Sequence, residues 1–226
     1  AILVLIFSLI FFGDKFYARA QGNDRFRFAV IGCTHIGVCE SKDYELAVEK
    51  IKEYHPEFVL FLGGMIDSVS DTPVGVLWDT FDRITAKLGV PVYNVPGECR
   101  LTPLSVSEER KALMEKCFMD RYKRRSQSFE YKNNLYVGLD SGPLPGQGKD
   151  SLQAKAQIDF LNQTFSGKAG YNNTFIFTHR SPWSEDEGDE WFKLLHPVIK
   201  GKVKHVFGAH IHRLGSKKVD GITYVT

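Results

Sequence analysis

The segment Phe58-Val-Leu-Phe-Leu62 is apolar at every position and stops at Gly63-Gly64. A half-exposed strand alternates apolar and polar residues, so an unbroken run this short suits a strand covered on both faces, as in parallel or mixed sheets with helices packed over them. The rest of the chain extends that reading. Phe26-Arg-Phe-Ala-Val-Ile31 and Val90-Pro-Val-Tyr-Asn-Val95 read as strands, as do residues 128–131, 135–139, 174–178, 204–207 and about 216–226. Between them, helical spacing recurs over residues 42–54 (Leu46, Val48 and Ile51, after a cap at Ser41), 75–88, 107–122, 152–165 and 190–199. Strands alternating with helices predict one α/β domain of layered sheets, with antiparallel additions toward the C-terminus.

Composition supports a folded domain and excludes other classes. The 226 residues are 43% hydrophobic, 25% charged and 13% aromatic, outside the range of disordered, collagen-like or coiled-coil chains. A net charge of +2 with both signs interspersed provides no basic footprint for nucleic acid. Four cysteines are too few for a disulfide scaffold.

The N-terminus departs from this average. Residues 1–12, AILVLIFSLIFF, are apolar apart from one serine, and Ala18-Arg-Ala20 follows. As a helix, twelve residues rise about 18 Å, short of a bilayer core of about 30 Å. Residues 1–20 therefore read as a secretory signal with a small-residue cleavage site; an N-terminal membrane anchor and a buried helix are the alternatives. The protein is expected to be exported, periplasmic or extracellular, or anchored to a membrane through this segment. No initiator Met or basic leader precedes the apolar run, and the chain stops inside a strand-like stretch, so both ends are expected to be truncated. The folded domain spans residues 26–226.

In sheets of this kind, ligands bind beyond the C-terminal ends of the strands. That rule selects five segments: Gly32-Cys33-Thr34-His35, Gly63-Gly64-Met65-Ile66-Asp67, Pro96-Gly97-Glu98-Cys99-Arg100, Thr178-His179-Arg180 and Gly208-Ala209-His210-Ile211-His212. They hold four of the seven histidines and two of the four cysteines. A lone histidine is usually a satisfied structural residue. Four at strand ends, two of them as His-x-His, point to metal ligation, because alternate positions present both imidazoles on one side.

These five segments, in this order and at these strand ends, resemble the calcineurin-like metallophosphoesterase family. Residues 157–161 and Leu139-Asp140-Ser141 are similar to the helix and strand end before its fourth segment. The resemblance implies a layered metallophosphoesterase-like sandwich of mixed β-sheets flanked by helices. It also implies hydrolysis of phosphate mono- or diesters of a small phosphorylated substrate by hydroxide activated on divalent metal. By position, His35 and His212 would bind one ion and His179 and His210 a second, with Asp67 orienting ligands. Four positions differ from the family pattern. Cys33 stands in place of an aspartate ligand, Gly64 in place of the carboxylate that bridges the ions, Glu98 in place of an amide ligand, and Cys99 in place of a histidine that contacts phosphate.

The remaining donors sort into Cys33/His35/His212 and Glu98/His179/His210, each with a position left open; both sets suit zinc and the carboxylate set also iron, and the expected cofactor is a divalent metal, zinc, manganese or iron. One ion is expected to bind well, at the glutamate set. Cys99, Arg100 and Asp67 are the expected catalytic residues; Arg100 and Arg180 either pair with phosphate or lie solvated on the surface. Cys33 and Cys99 could form a disulfide across the site or remain thiols, while Cys39 and Cys117 are expected in the core. The alternative to an enzyme is a non-catalytic relative that binds a phosphorylated ligand or a protein partner. Residues 142–149, which resemble a phosphate loop with one residue too many, read as a surface turn, and the acidic run 184–190 as a solvated loop. Asn162 and Asn172 begin glycosylation sequons by pattern alone.

Overall fold

A computed structural model describes residues 3–8, 25–97, 106–142, 148–167, 170–183 and 189–226. The chain forms β1 (Leu3–Ser8), β2 (Arg27–Gly32), α1 (Ser41–Glu53), β3 (Phe58–Phe61), α2 (Val74–Thr85), β4 (Val92–Asn94) and α3 (Glu108–Tyr122). Next come β5 (Gln127–Tyr131), β6 (Asn134–Gly138), α4 (Gly148–Ser166), β7 (Asn173–Arg180), α5 (Asp189–Ile199), β8 (His205–Ala209), β9 (Ser216–Val219) and β10 (Ile222–Val225). A four-stranded sheet has the order β1-β2-β3-β4, and a six-stranded sheet the order β5-β6-β7-β8-β10-β9. Strands β2, β3 and β4 are mutually parallel, as are β6, β7, β8 and β10; β1, β5 and β9 add antiparallel edges.

Side-chain alternation builds the layers. Along β2, Phe28 and Val30 face the other sheet while Ala29 and Ile31 face helices; along β3, Phe58 and Leu60 divide in the same way from Val59 and Phe61. The six-stranded sheet contributes Tyr136, Phe175, Phe177 and Phe207 to the shared interior. Its opposite face, with Leu135, Val137, Ile176 and Val206, packs on Leu161 of α4 and Leu195 and Ile199 of α5. Helices α1, α2 and α3 cover the four-stranded sheet through Tyr44, Ile51, Trp78, Phe81 and Phe118. The result is helix, sheet, sheet, helix, and it matches the expected α/β sandwich. Among the described residues, no helix is long and apolar enough to cross a membrane.

Several local expectations change. Ser41 is the first residue of α1 and Glu40 precedes it without a side-chain cap bond, whereas Ser107 does cap α3 by accepting from the Arg110 amide. The C-terminal run is a hairpin, because Asp220 and Gly221 adopt φ of 49° and 83° and reverse the chain between β9 and β10. Cys39 and Cys117 are half-buried rather than core residues, Cys117 lying against the helix-side cluster. Residues 3–8 of the apolar N-terminal run pair antiparallel with β2, from Leu3 opposite Gly32 to Ser8 opposite Arg27. The Ala18-Arg-Ala20 segment and residues 143–147 and 184–188 lie outside the described residues.

Aromatic rings fill the space between the sheets. Phe58 stacks on Phe28 at 5.3 Å and meets Tyr136 at 5.1 Å, Tyr131 at 5.2 Å and Phe129 at 5.4 Å, edge to face. With neighbours on both sheets, the site has little freedom to collapse after truncation. Phe58→Ala should cost about 3–5 kcal/mol of unfolding free energy. Urea melts of wild type and variant measure this directly, and a loss below about 1 kcal/mol would contradict the packing described.

Candidate metal centre

The loop after β2 runs alongside the loop after β3 and is fastened to it by backbone hydrogen bonds. The amides of Cys33, His35 and Ile36 donate to the carbonyls of Gly63 (2.9 Å), Gly64 (2.9 Å) and Met65 (3.0 Å), and the Thr34 hydroxyl donates to Met65 (2.8 Å). The ladder of the parallel sheet thus continues past the strands and places the first two segments side by side. Close approach requires glycine. A Cβ on Gly97 would lie 2.3 Å from the Gly64 nitrogen, and one on Gly63 would lie 2.7 Å from the Gly97 backbone.

The backbone turns left-handed at the ligand positions. Cys33, His35, His210 and His212 have φ of 57°, 42°, 69° and 49°, values costly for residues with a Cβ. Such geometry persists where the surroundings hold it. Here the Ile211 amide donates to Ala209 at 2.8 Å, and the His210 amide donates to Cys33 Sγ at 3.4 Å, tying the two sheets together at the site.

These turns gather the donors. Cys33, His35 and His212 each offer a ligand atom, all within 4.8 Å of one another, with Cys33 buried, His35 half-buried and His212 exposed. The donor atoms of a tetrahedral site with bonds of 2.0–2.3 Å stand roughly 3.5 Å apart, so modest side-chain rotation closes this set on an ion. The residues therefore fit a divalent metal held on three sides. The His35 and His212 ring centres are 5.3 Å apart, and those of His179 and His210 are 5.2 Å apart.

Burial favours the neutral form, the one that ligates, at His179, His35 and His212. His179 is 2% exposed, and its pKa is pushed down to about 3, chiefly by desolvation, against the opposing effect of its bond to Leu62. That bond, from Nδ1–H to the Leu62 carbonyl at 2.6 Å, sets the tautomer and leaves Nε2 as the free lone pair. Burial and the neighbouring His212 also lower His35, with Asp67 pulling the other way, and burial lowers His212.

The other predicted residues fall as follows. Asp67 Oδ2 accepts from the amides of Val69 and Ser70, both at 2.8 Å, so its carboxylate shapes the loop and acts on His35 through space. Arg180 is 2% exposed and belongs to the interior, which removes the reading of a solvated surface arginine. Its amide donates to Ser141 Oγ at 2.8 Å, and Arg125 pairs with the buried Asp140 at 2.8 Å, fastening the end of β6. Glu98, Cys99 and Arg100 lie outside the described residues. The Leu62 carbonyl was missed by sequence reasoning because it is a main-chain group. Its only signal was the position of Leu62 at the end of a buried strand.

Comparison with known proteins extends this picture. No curated protein sequence matches the chain. Among solved structures, a dimetal phosphatase from Danio rerio superposes with a TM-score of 0.68 at 16% identity, over 88% of this chain and 86% of that one. A purple acid phosphatase from yellow lupin (Lupinus luteus) seeds gives 0.58 at 10% identity, over 89% of this chain and 46% of that one. A phosphopantetheinyl hydrolase from Mycobacterium tuberculosis gives 0.53 at 11%, over 88% and 87%. At these identities the likeness is one of fold. The family model described as calcineurin-like phosphoesterase matches residues 26–214, which span every strand end that carries a histidine or cysteine donor, and the chain belongs to that family.

Proposed function

We propose that this protein is a metal-dependent phosphoesterase that hydrolyses phosphate mono- or diesters of a small substrate. The observation that carries this reading is the convergence of Cys33, His35 and His212, from the ends of strands in two different sheets, to within 4.8 Å. A divalent ion held there supplies Lewis acidity, drawing charge from phosphate oxygens and acidifying water. The chain's own residues prepare the site for it. The Leu62 carbonyl fixes the His179 ring, burial keeps the histidine lone pairs available, and the His210 amide anchors the Cys33 sulfur. With a net charge of +2, the protein's overall field attracts an anionic substrate only weakly, so recognition must be local. The similar proteins named above, a dimetal phosphatase, a purple acid phosphatase and a phosphopantetheinyl hydrolase, support a phosphorylated substrate. As a sequence pattern, the apolar run 1–12 with Ala18-Arg-Ala20 supports export or membrane anchoring, a role in which residues 3–8 would leave their pairing with β2.

A second reading has one observation in its favour. Gly64 presents no carboxylate where the family pattern has its bridge, which suits a protein that binds phosphorylated ligands without turning them over. Chromogenic phosphodiester and phosphomonoester substrates, assayed with zinc or manganese added, separate the two. The enzyme reading expects turnover that is abolished by a chelator and reduced at least about 100-fold by His179→Ala or His210→Ala. Turnover seen only after Cys33→Asp and Gly64→Asp are combined would establish the binding protein instead.

Restoring the carboxylate has a structural cost. A Cβ on Gly64, whose φ is +67°, would lie 2.9 Å from Cys33 Cα. Gly64→Asp alone should therefore destabilise the fold by about 1–3 kcal/mol in denaturant melts; an unchanged midpoint would show that the two loops separate freely.

Stability should also depend on pH. The folded pKa of His179 lies below its reference value of 6.5, at about 3, so the unfolded chain binds the extra proton first as pH falls. Stability is complete above about pH 6.5 and declines below it, by up to about 1.4 kcal/mol per pH unit for this one histidine. Urea melts of chelator-treated protein between pH 7.5 and 5 should show that decline, and His179→Gln should lessen it, with the lowered His35 and His212 accounting for the remainder. A wild-type slope of zero would mean that His179 reaches solvent.

A further inference from the structure

We propose that Cys33 is a thiolate ligand, and that Cys33, His35 and His212 form a single-ion site selective for zinc over manganese or magnesium. The inference rests on the reading of this centre as metal-binding, but not on turnover. Cys33 and Gly64 form a matched pair. The Cβ position on Gly64 lies 2.9 Å from Cys33 Cα, 3.2 Å from its nitrogen and 3.3 Å from its Sγ, so the sulfur borders the space into which a carboxylate at residue 64 would grow. One sulfur thus occupies the neighbourhood of two side-chain carboxylates in the family pattern. No side chain at residue 64 remains to join this ion to a neighbour, so its binding depends on its own three donors.

The donor set decides the metal. Sulfur with two imidazoles favours zinc, whereas manganese and magnesium prefer oxygen ligands. The sulfur is also fixed before any ion arrives. Cys33 is 5% exposed, its backbone is held left-handed at φ 57°, and the His210 amide donates to Sγ. That bond fixes the direction from which the sulfur can meet an ion. His212 closes the set from the solvent side. The sulfur set is the one whose three donors lie together among the described residues; Glu98, the third donor expected beside His179 and His210, lies outside them.

The test uses the full chain, stripped with a chelator and titrated with cobalt(II) and then zinc. The expected result is one equivalent of cobalt with tetrahedral visible bands and a near-ultraviolet sulfur-to-cobalt charge-transfer band. Zinc should displace it, and equimolar manganese should not. Losing even an outer-shell partner of a metal ligand costs 10–100-fold in affinity, so Cys33→Ser should erase the charge-transfer band and weaken zinc binding by more than about 100-fold. His212→Ala changes an exposed residue, leaves the circular dichroism spectrum intact and should weaken zinc to a similar degree, which decides the matter if Cys33→Ser fails to fold. A wild-type spectrum without the charge-transfer band, a band that survives Cys33→Ser, or equal competition by manganese would overturn the assignment. Sulfur-bound cobalt without phosphoester turnover would overturn the proposed function and leave this site standing; turnover without sulfur ligation would do the reverse.

Discussion

The backbone ladder that continues beyond β2 and β3 is the interaction on which the site depends. Strand register is normally fixed by side-chain burial, and it ends where the strands end. Here the Cys33, His35 and Ile36 amides keep pairing with Gly63, Gly64 and Met65, so the register set by Phe28 opposite Phe58 is carried into the crevice. A loop held only at its ends could not keep Cys33 and His35 left-handed. This one is held at nearly every amide, and the second sheet grips it through the His210 amide and the Cys33 sulfur.

The sandwich interior and the centre also share a boundary. Cys33, Leu62 and Ala209 belong to the apolar layer between the sheets; Cys33 is itself a donor, Leu62 supplies the carbonyl that holds His179, and Ala209 directly precedes His210. The dry interior therefore extends to within one residue of the metal-binding atoms, and desolvation of His179 follows from that proximity. The packing that stabilises the fold is the same packing that keeps the imidazole uncharged.

Much of this was legible in the chain, for identifiable reasons. Unbroken apolar runs such as Phe58-Val-Leu-Phe-Leu62 can be buried in few ways, and glycine, histidine and cysteine just after them identified the crevice. The grouping of Cys33 and His35 with His212 came from the resemblance to the calcineurin-like family, and the structure brings these three donors within 4.8 Å of one another. What could not be read was set by backbone geometry or by tertiary contact. Ser41 carries a capping side chain yet enters the helix one residue early; Arg180 looks like a surface residue until β7 extends past His179 and draws it inside. The role of the Leu62 carbonyl leaves no trace in a side chain. The Asp220-Gly221 reversal was signalled by its dipeptide, and the longer apolar pattern masked it.

The crossing of Gly63, Gly64 and Gly97 bears on how such a centre can change over evolutionary time. Each of the three occupies volume that a side chain on another would need, with the Gly97 position only 2.3 Å from the Gly64 nitrogen. Substitutions there are not independent steps. Introducing a carboxylate at residue 64 requires the Cys33 backbone, 2.9 Å from the new Cβ, to shift in the same move. Changes on the floor of the crevice are therefore coupled to one another.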